Sequence, residues 1–264
     1  MSLTSPATLL AALENLAPLA LAEPWDNVGL LVEPPSPRAL RRALLTIDLT
    51  EAVLEEAIAL QTDFIIAYHP PIFGGFKRLA MTNASHRVLL RAIAGGLPLY
   101  SPHTALDAAQ GGVNDWLLGA FGTLSAVAPI TPAAADPAVG AGRRATLATP
   151  RSLASAVADI KAWLGMPRVR VAAADGRPIR TVAVCPGAGG SLLEGLKGVD
   201  LILTGELRHH DILAHVARGT AVVLTDHTHT ERGYLPLFAE RLRAAVPGLA
   251  VSVAQADADP LVIT

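Results

Sequence analysis

Histidine and carboxylate residues follow three predicted strands, and their types and positions point to metal chemistry. DFIIAY is followed by His69, LPLYS by His103, and AVVLT by His227 and Glu231. Because ligand sites in open α/β sheets gather at the carboxyl ends of strands, we expect these side chains to converge. Imidazole and carboxylate ligands suit divalent Zn, Mn, Fe or Co. A single histidine more often packs or faces solvent, but three strand-end histidines together favour a metal site.

Two pairs with a spacing of four residues support this prediction. His103 and Asp107 lie four apart in HTALD, and His227 and Glu231 lie four apart in HTHTE. On a helical turn this spacing places both side chains on one face. A carboxylate can also bridge two cations that would otherwise repel each other, and paired metal sites commonly activate water and clamp an oxyanion. These pairs therefore predict a site for divalent metal of unspecified identity, in which a shared carboxylate could hold two ions.

A second polar cluster follows the predicted strand LILT. Glu206, His209 and His210 are expected in the first turns of a helix spanning 206–218, where Glu206 would meet either histidine. A histidine with a carboxylate neighbour is typical of proton transfer. A hydrogen-bonded helix start is the equally favoured alternative.

Three further segments are interpreted as structural rather than functional. In WDN, Trp25 is expected to pack while Asp26 and Asn27 hold a turn, with a pocket rim as the less favoured alternative. PGAGGS (186–191) is expected to form a tight turn, with an anion site as the weaker hypothesis. Lys77 and Arg78 are expected to be solvated charges, although they could meet a substrate phosphate.

The elements that must position these residues alternate between short strands and helices. Strands are predicted at 42–48, 63–68 and 97–101 and again at 180–185, 200–204 and 221–225, with helices between them. This rhythm predicts an α/β fold of two similar, interlocked lobes with mixed, mostly parallel sheets covered by helices. We place the lobes at 1–128 and 129–264, with the metal site at their interface. The Pro-, Ala- and Gly-rich stretch 129–150 is the predicted connection.

Composition narrows the class of protein. The net charge of −2 makes the whole chain a poor electrostatic partner for nucleic acid or anionic lipid. The single cysteine, Cys185, excludes an intrachain disulfide and favours a reducing compartment. Apolar runs are short and interrupted, and none approaches the roughly 20 residues of a membrane span. The first residues read as an amphipathic helix rather than a signal peptide. We therefore expect a cytoplasmic protein without a membrane partner.

Several motifs resemble one family in combination. They are WDNVGLLV (25–32), YHPPIF (68–73), SPHTALDAAQGGVNDWL (101–117), TGELRHHD…DHTHTERGYL (204–235) and the terminal DADPL (257–261). Together they are similar to the Nif-three-like dinuclear metal family, which includes GTP cyclohydrolase I type 2 and YbgI-like proteins. The resemblance runs from about residue 5 to the C-terminus. It is closest to the short form, which lacks an inserted domain.

The resemblance implies a ligand set and an assembly. By position, the family's metal ligands fall on His69, Asp107, His227 and Glu231, with Glu231 the favoured bridge. Many members have two adjacent histidines where this chain has Tyr68 and His69, so Tyr68, His229 or water would complete the second metal. The resemblance also implies a homohexameric ring.

Two functional hypotheses follow. The first is a metal-dependent hydrolase that acts on a nucleotide or another phosphorylated small molecule, with His103, Glu206 and His210 handling protons. The family name implies GTP cyclohydrolase activity, although no residue here is identified as reading guanine. The second hypothesis is a non-catalytic metal-binding, scaffold or regulatory protein. A catalytic metal site keeps a coordination position open for water, whereas a structural site is closed.

Overall fold

The computed structural model describes residues 3–36 and 38–262. In these residues the helices are α1 (Pro6–Leu16), α2 (Glu51–Ala59), α3 (Ala84–Ala94), α4 (His103–Ala108), α5 (Val113–Leu118), α6 (Leu153–Leu164), α7 (Gly190–Leu193), α8 (His209–Ala217) and α9 (Leu235–Ala245). The strands are β1 (Gly29–Val32), β2 (Arg42–Thr46), β3 (Phe64–Ala67), β4 (Leu99–Ser101), β5 (Leu124–Ala128), β6 (Thr131–Pro132), β7 (Gly140–Ala141), β8 (Arg143–Arg151), β9 (Arg170–Ala172), β10 (Ile179–Ala188), β11 (Leu201–Glu206), β12 (Ala221–Leu224) and β13 (Ala250–Val253). Short 3₁₀ helices occupy Leu19–Leu21, Gly119–Phe121, Thr228–Thr230 and Arg232–Tyr234. The predicted α/β class is confirmed.

The first compact unit contains the described part of Met1–Leu106 together with Tyr234–Pro260. Its sheet has the order β1-β4-β3-β2-β13, and its pairings are parallel except that of β1 with β4. Residues of β2, β3 and β4 pack against buried faces of α2 and α3. These strands are almost wholly apolar, as expected for parallel strands covered by helices.

The second compact unit contains the described part of Asp107–Gly233 and Leu261–Thr264. Its main sheet has the order β5-β8-β10-β11-β12-β9. The central strands β10, β11 and β12 run parallel, whereas β5, β8 and β9 pair antiparallel with their neighbours. Apolar residues of these strands form one core with α5 and α6. The sheets are therefore mixed, and the parallel part of each runs through its centre.

Side-chain caps start two of the described helices, α2 and α6. The hydroxyl of Thr50 accepts a hydrogen bond from the amide of Val53 at the start of α2. Ser152 does the same for Ser155 at the start of α6. Such caps satisfy amides that have no partner within the helix.

The stretch 129–150 is more ordered than a connection, so that prediction is wrong. It contains β6, β7 and most of β8, and β8 lies between β5 and β10 in the second sheet. Small and polar residues obscured the strand because pairing on both sides, rather than side-chain periodicity, holds it.

The division between the compact units also differs from the boundary predicted at 128/129. The first unit ends at Leu106 and regains the chain from Tyr234 onwards. The cause is β13, which pairs parallel with β2 and so returns the C-terminal segment to the first sheet.

Each sheet presents the carboxyl ends of three adjacent parallel strands. In the first unit these are β2, β3 and β4, which lead into Asp48, His69 and His103. In the second unit they are β10, β11 and β12, which lead into the 187–189 segment, Glu206 and His227.

Among the described helices, none has the length and apolar character needed to span a membrane.

Candidate metal centre

His69 is fixed at the end of β3 by a neighbouring carboxylate. Its Nδ1 lies 2.9 Å from Oδ1 of Asp48, which follows the adjacent strand β2. An ionised carboxylate can only accept a hydrogen bond, so Nδ1 donates and Nε2 keeps its lone pair. This arrangement is typical of a metal-binding histidine, whose second nitrogen is oriented by a carboxylate. Asp48 was not among the predicted site residues because it was placed inside the predicted strand 42–48, whereas β2 ends at Thr46 and Asp48 follows it.

Backbone pairing holds this part of the site in place. The amides of Tyr68 and His69 donate to the carbonyls of Thr46 and Ile47, which extends the β2–β3 ladder past the strands. The amide of Ile47 donates to the buried carboxylate of Asp257 at 2.6 Å. The terminal DADPL segment therefore supports the end of β2, immediately before Asp48.

His103 is oriented in the same way, by Asp26. The two side chains meet at 2.8 Å between Nδ1 and Oδ1, and the Asp26 side chain is fully buried. Burial alone would raise the pKa of Asp26, but hydrogen bonds from His103 and Thr104 outweigh it and lower that pKa. Asp26 was expected to hold a turn, and its carboxylate also holds a candidate catalytic histidine.

The rings around His103 form a compact aromatic group in the first unit. The His69 and His103 ring centroids are 5.5 Å apart, and the buried ring of Tyr68 lies 5.1 Å from His69 and 5.5 Å from His103. His103 itself has a φ of +24°, a backbone conformation uncommon outside glycine. Such strain persists only where the surroundings over-determine it, and it is concentrated at functional sites.

His227 and Glu231 form the corresponding group in the second unit. Nδ1 of His227 lies 3.0 Å from Oε1 of Glu206, and its Nε2 lies 3.4 Å from Oε1 of Glu231. Glu231 is 3% exposed, so its carboxylate sits in a low-dielectric environment that favours a cation partner. The residue before His227, Asp226, has a φ of +62° and an ion pair with Arg170. The predicted contact across the four-residue spacing of HTHTE is present.

Two glycines allow the backbone to approach this group. A Cβ at Gly187 would lie 2.6 Å from Oε1 of Glu231 and 2.8 Å from Nε2 of His227, and Gly187 has a φ of +59°. A Cβ at Gly205 would meet the carbonyl oxygens of Gly187 and Asp226 at 2.6 and 2.8 Å. Only glycine fits where chains approach so closely. The pattern of 186–191 predicted only a tight turn, and neither the close approach at Gly187 nor that at Gly205 was expected.

Three of the four predicted ligands come together. One ligand atom from each of His69, His227 and Glu231 lies within 4.8 Å of the others, so these residues could hold a metal ion. Asp107 is half-buried on α4 with His103, as the spacing in HTALD predicted, and it is not part of this set of three described residues. Its role as a ligand stays a prediction.

The donor set suits a divalent metal. Two imidazoles have Nδ1 hydrogen-bonded to carboxylates, an arrangement in which a metal-binding histidine coordinates the cation through Nε2. The third donor is a buried carboxylate, and the glycine backbone at 187 leaves space beside it. Nitrogen and oxygen donors of this kind suit Zn, Mn, Fe or Co.

The predicted Glu206 cluster is arranged differently from expectation. Glu206 is the last residue of β11 rather than part of a helix, and its carboxylate contacts His227. α8 begins at His209, where the exposed rings of His209 and His210 lie 5.5 Å apart. The helix start at 206 is therefore wrong, because parallel pairing with β12 and β10 extends the strand through the TGE motif.

Trp25 was expected to pack, and that expectation is wrong. The residue is 60% exposed, and its ring lies 6.2 Å from that of His103.

His229 is the central residue of the 3₁₀ helix Thr228–Thr230, which directly follows His227.

Comparison with known proteins gives a consistent assignment. A family model described as Duf34/NIF3 (NGG1p interacting factor 3) matches residues 6–260. The chain is 40% identical to NIF3-like protein 1 of Drosophila melanogaster, with 97% of this chain and 88% of the relative covered. It is 42% identical to the NIF3 homolog of Schizosaccharomyces pombe, with 91% of each chain covered. A Bacillus cereus protein related to NIF3 shares the fold over 100% of both chains, with a TM-score of 0.87 and 20% identity.

Proposed function

Because this chain belongs to the Duf34/NIF3 family, we propose that it binds two divalent metal ions and acts as a metal-dependent hydrolase. The proposed substrate is a nucleotide or another phosphorylated small molecule. GTP cyclohydrolase-like chemistry is proposed from the family resemblance alone.

One observation carries the proposal. The histidines at 69 and 227 each have Nδ1 hydrogen-bonded to a carboxylate, and each offers one ring nitrogen to the group of potential ligands that also contains Glu231. A histidine that only packs does not require this orientation, whereas a ligand does, because the hydrogen bond fixes both the tautomer and the ring plane.

In this proposal, one set of residues binds the metal ions and another set transfers protons. His69, Asp107, His227 and Glu231 would hold the ions, with Glu231 as the shared ligand. A bound divalent ion supplies Lewis acidity, which lowers the pKa of water and neutralises charge on an oxyanion. Asp48 and Glu206 accept hydrogen bonds from Nδ1 and so fix the orientation of the two imidazole rings.

His103 is the proposed proton-transfer residue. Its Nδ1 donates to the buried Asp26 carboxylate, so its Nε2 is the atom that accepts or releases a proton. Asp26 stabilises the imidazolium that forms when Nε2 takes up a proton. We retain His210 as a more peripheral candidate, since it is exposed on α8, and Glu206 as the residue that orients His227.

A phosphorylated substrate is supported by charge. Lys77 and Arg78 are exposed cations that follow the YHPPIF motif in the first unit. Both are suitable partners for a phosphate group. The proposed setting is the cytoplasm, and the proposed assembly is a hexameric ring of identical chains whose mass in solution is the direct check.

Metal content tests the ligand assignment. We expect the purified protein to bind about two divalent ions per chain, and Glu231→Gln to lose most of that binding because the amide carries no charge. Glu240→Gln is the matched control, since Glu240 is an exposed residue of α9. Wild-type metal content in Glu231→Gln would exclude Glu231 as a ligand.

Turnover tests the enzymatic part separately. A panel of phosphoesters and nucleotides, assayed with and without added metal, should contain at least one substrate whose hydrolysis is lost in His103→Gln while metal content is retained. Absence of metal-dependent turnover across the panel, with metal binding intact, would favour the non-catalytic alternative.

A further inference from the structure

Two exposed aromatic rings flank His103 in the first unit. Trp25 is 60% exposed and Phe73 is 58% exposed, and their ring centroids are 6.1 Å apart at an interplanar angle of 60°. Trp25 also lies 6.2 Å from the ring of His103 at 75°. Neither neighbour stacks parallel on the indole, and most of the indole stays open to solvent.

The support under these rings is fixed. The side-chain amide of Asn27 donates to the carbonyl of Ile72 at 2.5 Å, which ties the segment carrying Trp25 to the segment carrying Phe73. Asp26, between Trp25 and Asn27, accepts hydrogen bonds from the amide of Asn27 and from His103. Large apolar groups held in fixed positions at the surface are typical of a binding site rather than of packing.

We propose that Trp25, with Phe73 beside it, is the residue that recognises the substrate, by stacking on a flat heteroaromatic ring such as a nucleobase. This inference rests on the proposed function, and it narrows the substrate from any phosphorylated molecule to one that carries such a ring. The indole offers a polarisable face at low entropic cost, and a base stacks on it whatever its hydrogen-bonding edge.

The position of the rings favours a small molecule over a protein. Trp25 contacts His103, and His103 in turn contacts His69, so a ring on Trp25 would lie beside the residues proposed to do the chemistry. The exposed cations Lys77 and Arg78 follow Phe73 in the same segment and suit a phosphate on the same ligand.

Equilibrium binding tests the inference without requiring turnover. The probes are the four nucleoside 5′-monophosphates and ribose 5-phosphate, which has the phosphate and sugar but no base. We expect the best nucleotide to bind the metal-loaded protein at least about tenfold more tightly than ribose 5-phosphate. Trp25→Ala should abolish that preference and leave ribose 5-phosphate binding unchanged, whereas Trp25→Phe should retain most of it.

Phe76→Ala is the matched control. Phe76 is 42% exposed on the same segment, but its ring packs against His86 at 5.3 Å, so its removal should leave the preference intact. Nucleotide should also quench tryptophan emission in the wild type, and that quenching should disappear in Trp25→Phe although binding persists. A structural role for Trp25 would not produce this pattern.

Three outcomes would overturn the inference. The first is equal binding of nucleotides and ribose 5-phosphate, and the second is an unchanged preference for nucleotide in Trp25→Ala. The third is a loss of oligomer mass in Trp25→Ala when the wild type shows no preference for nucleotide over ribose 5-phosphate. That result would assign Trp25 to contact with a second copy. Metal content and turnover measured on the same samples separate these results from failure of the proposed function, which shows as absent metal or as absent metal-dependent turnover.

Discussion

Replacing Gly187 with alanine tests the closest contact of the candidate metal centre. The new Cβ would lie 2.6 Å from Oε1 of Glu231 and 2.8 Å from Nε2 of His227, both proposed ligand atoms. Restoring ordinary contact requires the carboxylate oxygen to move by about 0.8 Å, whereas metal–ligand distances tolerate only about 0.2 Å. We expect Gly187→Ala to weaken metal binding at least about tenfold, which corresponds to about 1.4 kcal/mol.

Backbone strain adds a separate cost to this variant. Gly187 has a φ of +59°, where a residue with a Cβ is disfavoured by about 1–2 kcal/mol. The amide of Gly187 is also fixed by a 2.7 Å hydrogen bond to the buried hydroxyl of Thr230, so the segment cannot relax freely. Gly187→Ala should therefore lose both stability and metal affinity.

Two control variants separate these effects. Gly165 has a φ of +66° with open space around its Cβ position, so Gly165→Ala should lose about 1–2 kcal/mol of stability and no metal affinity. Gly190 has open space and no positive φ, so Gly190→Ala should change neither property appreciably. Urea unfolding measures stability, and calorimetric titration with Zn²⁺ or Mn²⁺ measures affinity. Wild-type metal affinity in Gly187→Ala would refute the assignment of His227 and Glu231 as ligands.

Four further predictions follow. Arg143 is buried and donates hydrogen bonds to Asp115 and to four backbone carbonyls. Arg143→Met should therefore lower the free energy of unfolding by about 3 kcal/mol or more. A loss below about 1 kcal/mol in urea unfolding would contradict this prediction. Burial, with a smaller contribution from Arg218, lowers the pKa of His215. The unfolded state therefore binds a proton more readily than the folded state, and the free energy of unfolding should fall as the pH drops below about 6.5. His215→Leu should reduce this dependence of the free energy of unfolding on pH. Burial raises the pKa of Tyr100, so the free energy of unfolding should fall above about pH 10. Tyr100→Phe should remove that decline. It should not lower the stability at neutral pH, because the hydroxyl of Tyr100 has no hydrogen-bond partner among the described residues. Asp48→Asn should weaken metal binding by about 10- to 100-fold in titration calorimetry while the fold persists, and unchanged affinity would exclude its role in orienting His69.

The sequence by itself determined the class of fold and the chemistry of the site. Apolar runs of strand length alternate with capped helical segments, and local periodicity and caps such as Thr50 and Ser152 are properties of neighbouring residues. The strand-end rule needs only the order of strands and the polar residues that follow them, and His69, His103 and His227 do follow β3, β4 and β12. The four-residue spacing in HTHTE likewise fixed the contact of His227 with Glu231.

Only the tertiary structure decided which groups meet across distant segments. Asp48 reaches His69 because β2 and β3 pair in parallel, and Glu206 reaches His227 because β11 and β12 do. Asp26 meets His103 across 77 positions of the chain, a separation at which sequence spacing carries no geometric information.

The same limit explains the errors in reading the sequence. Trp25 was expected to pack because indole side chains are usually largely buried. Its exposure depends on which other segments the fold places against it, and the sequence around Trp25 does not show this. The strand β8 was missed because its partners β5 and β10 define it, not its own residues. The PGAGGS segment predicted an ordinary turn because only the fold shows that the missing Cβ of Gly187 leaves room for the side chains of His227 and Glu231. Local order is encoded locally, whereas proximity between remote segments depends on strand pairing and packing, which the linear order of residues does not display.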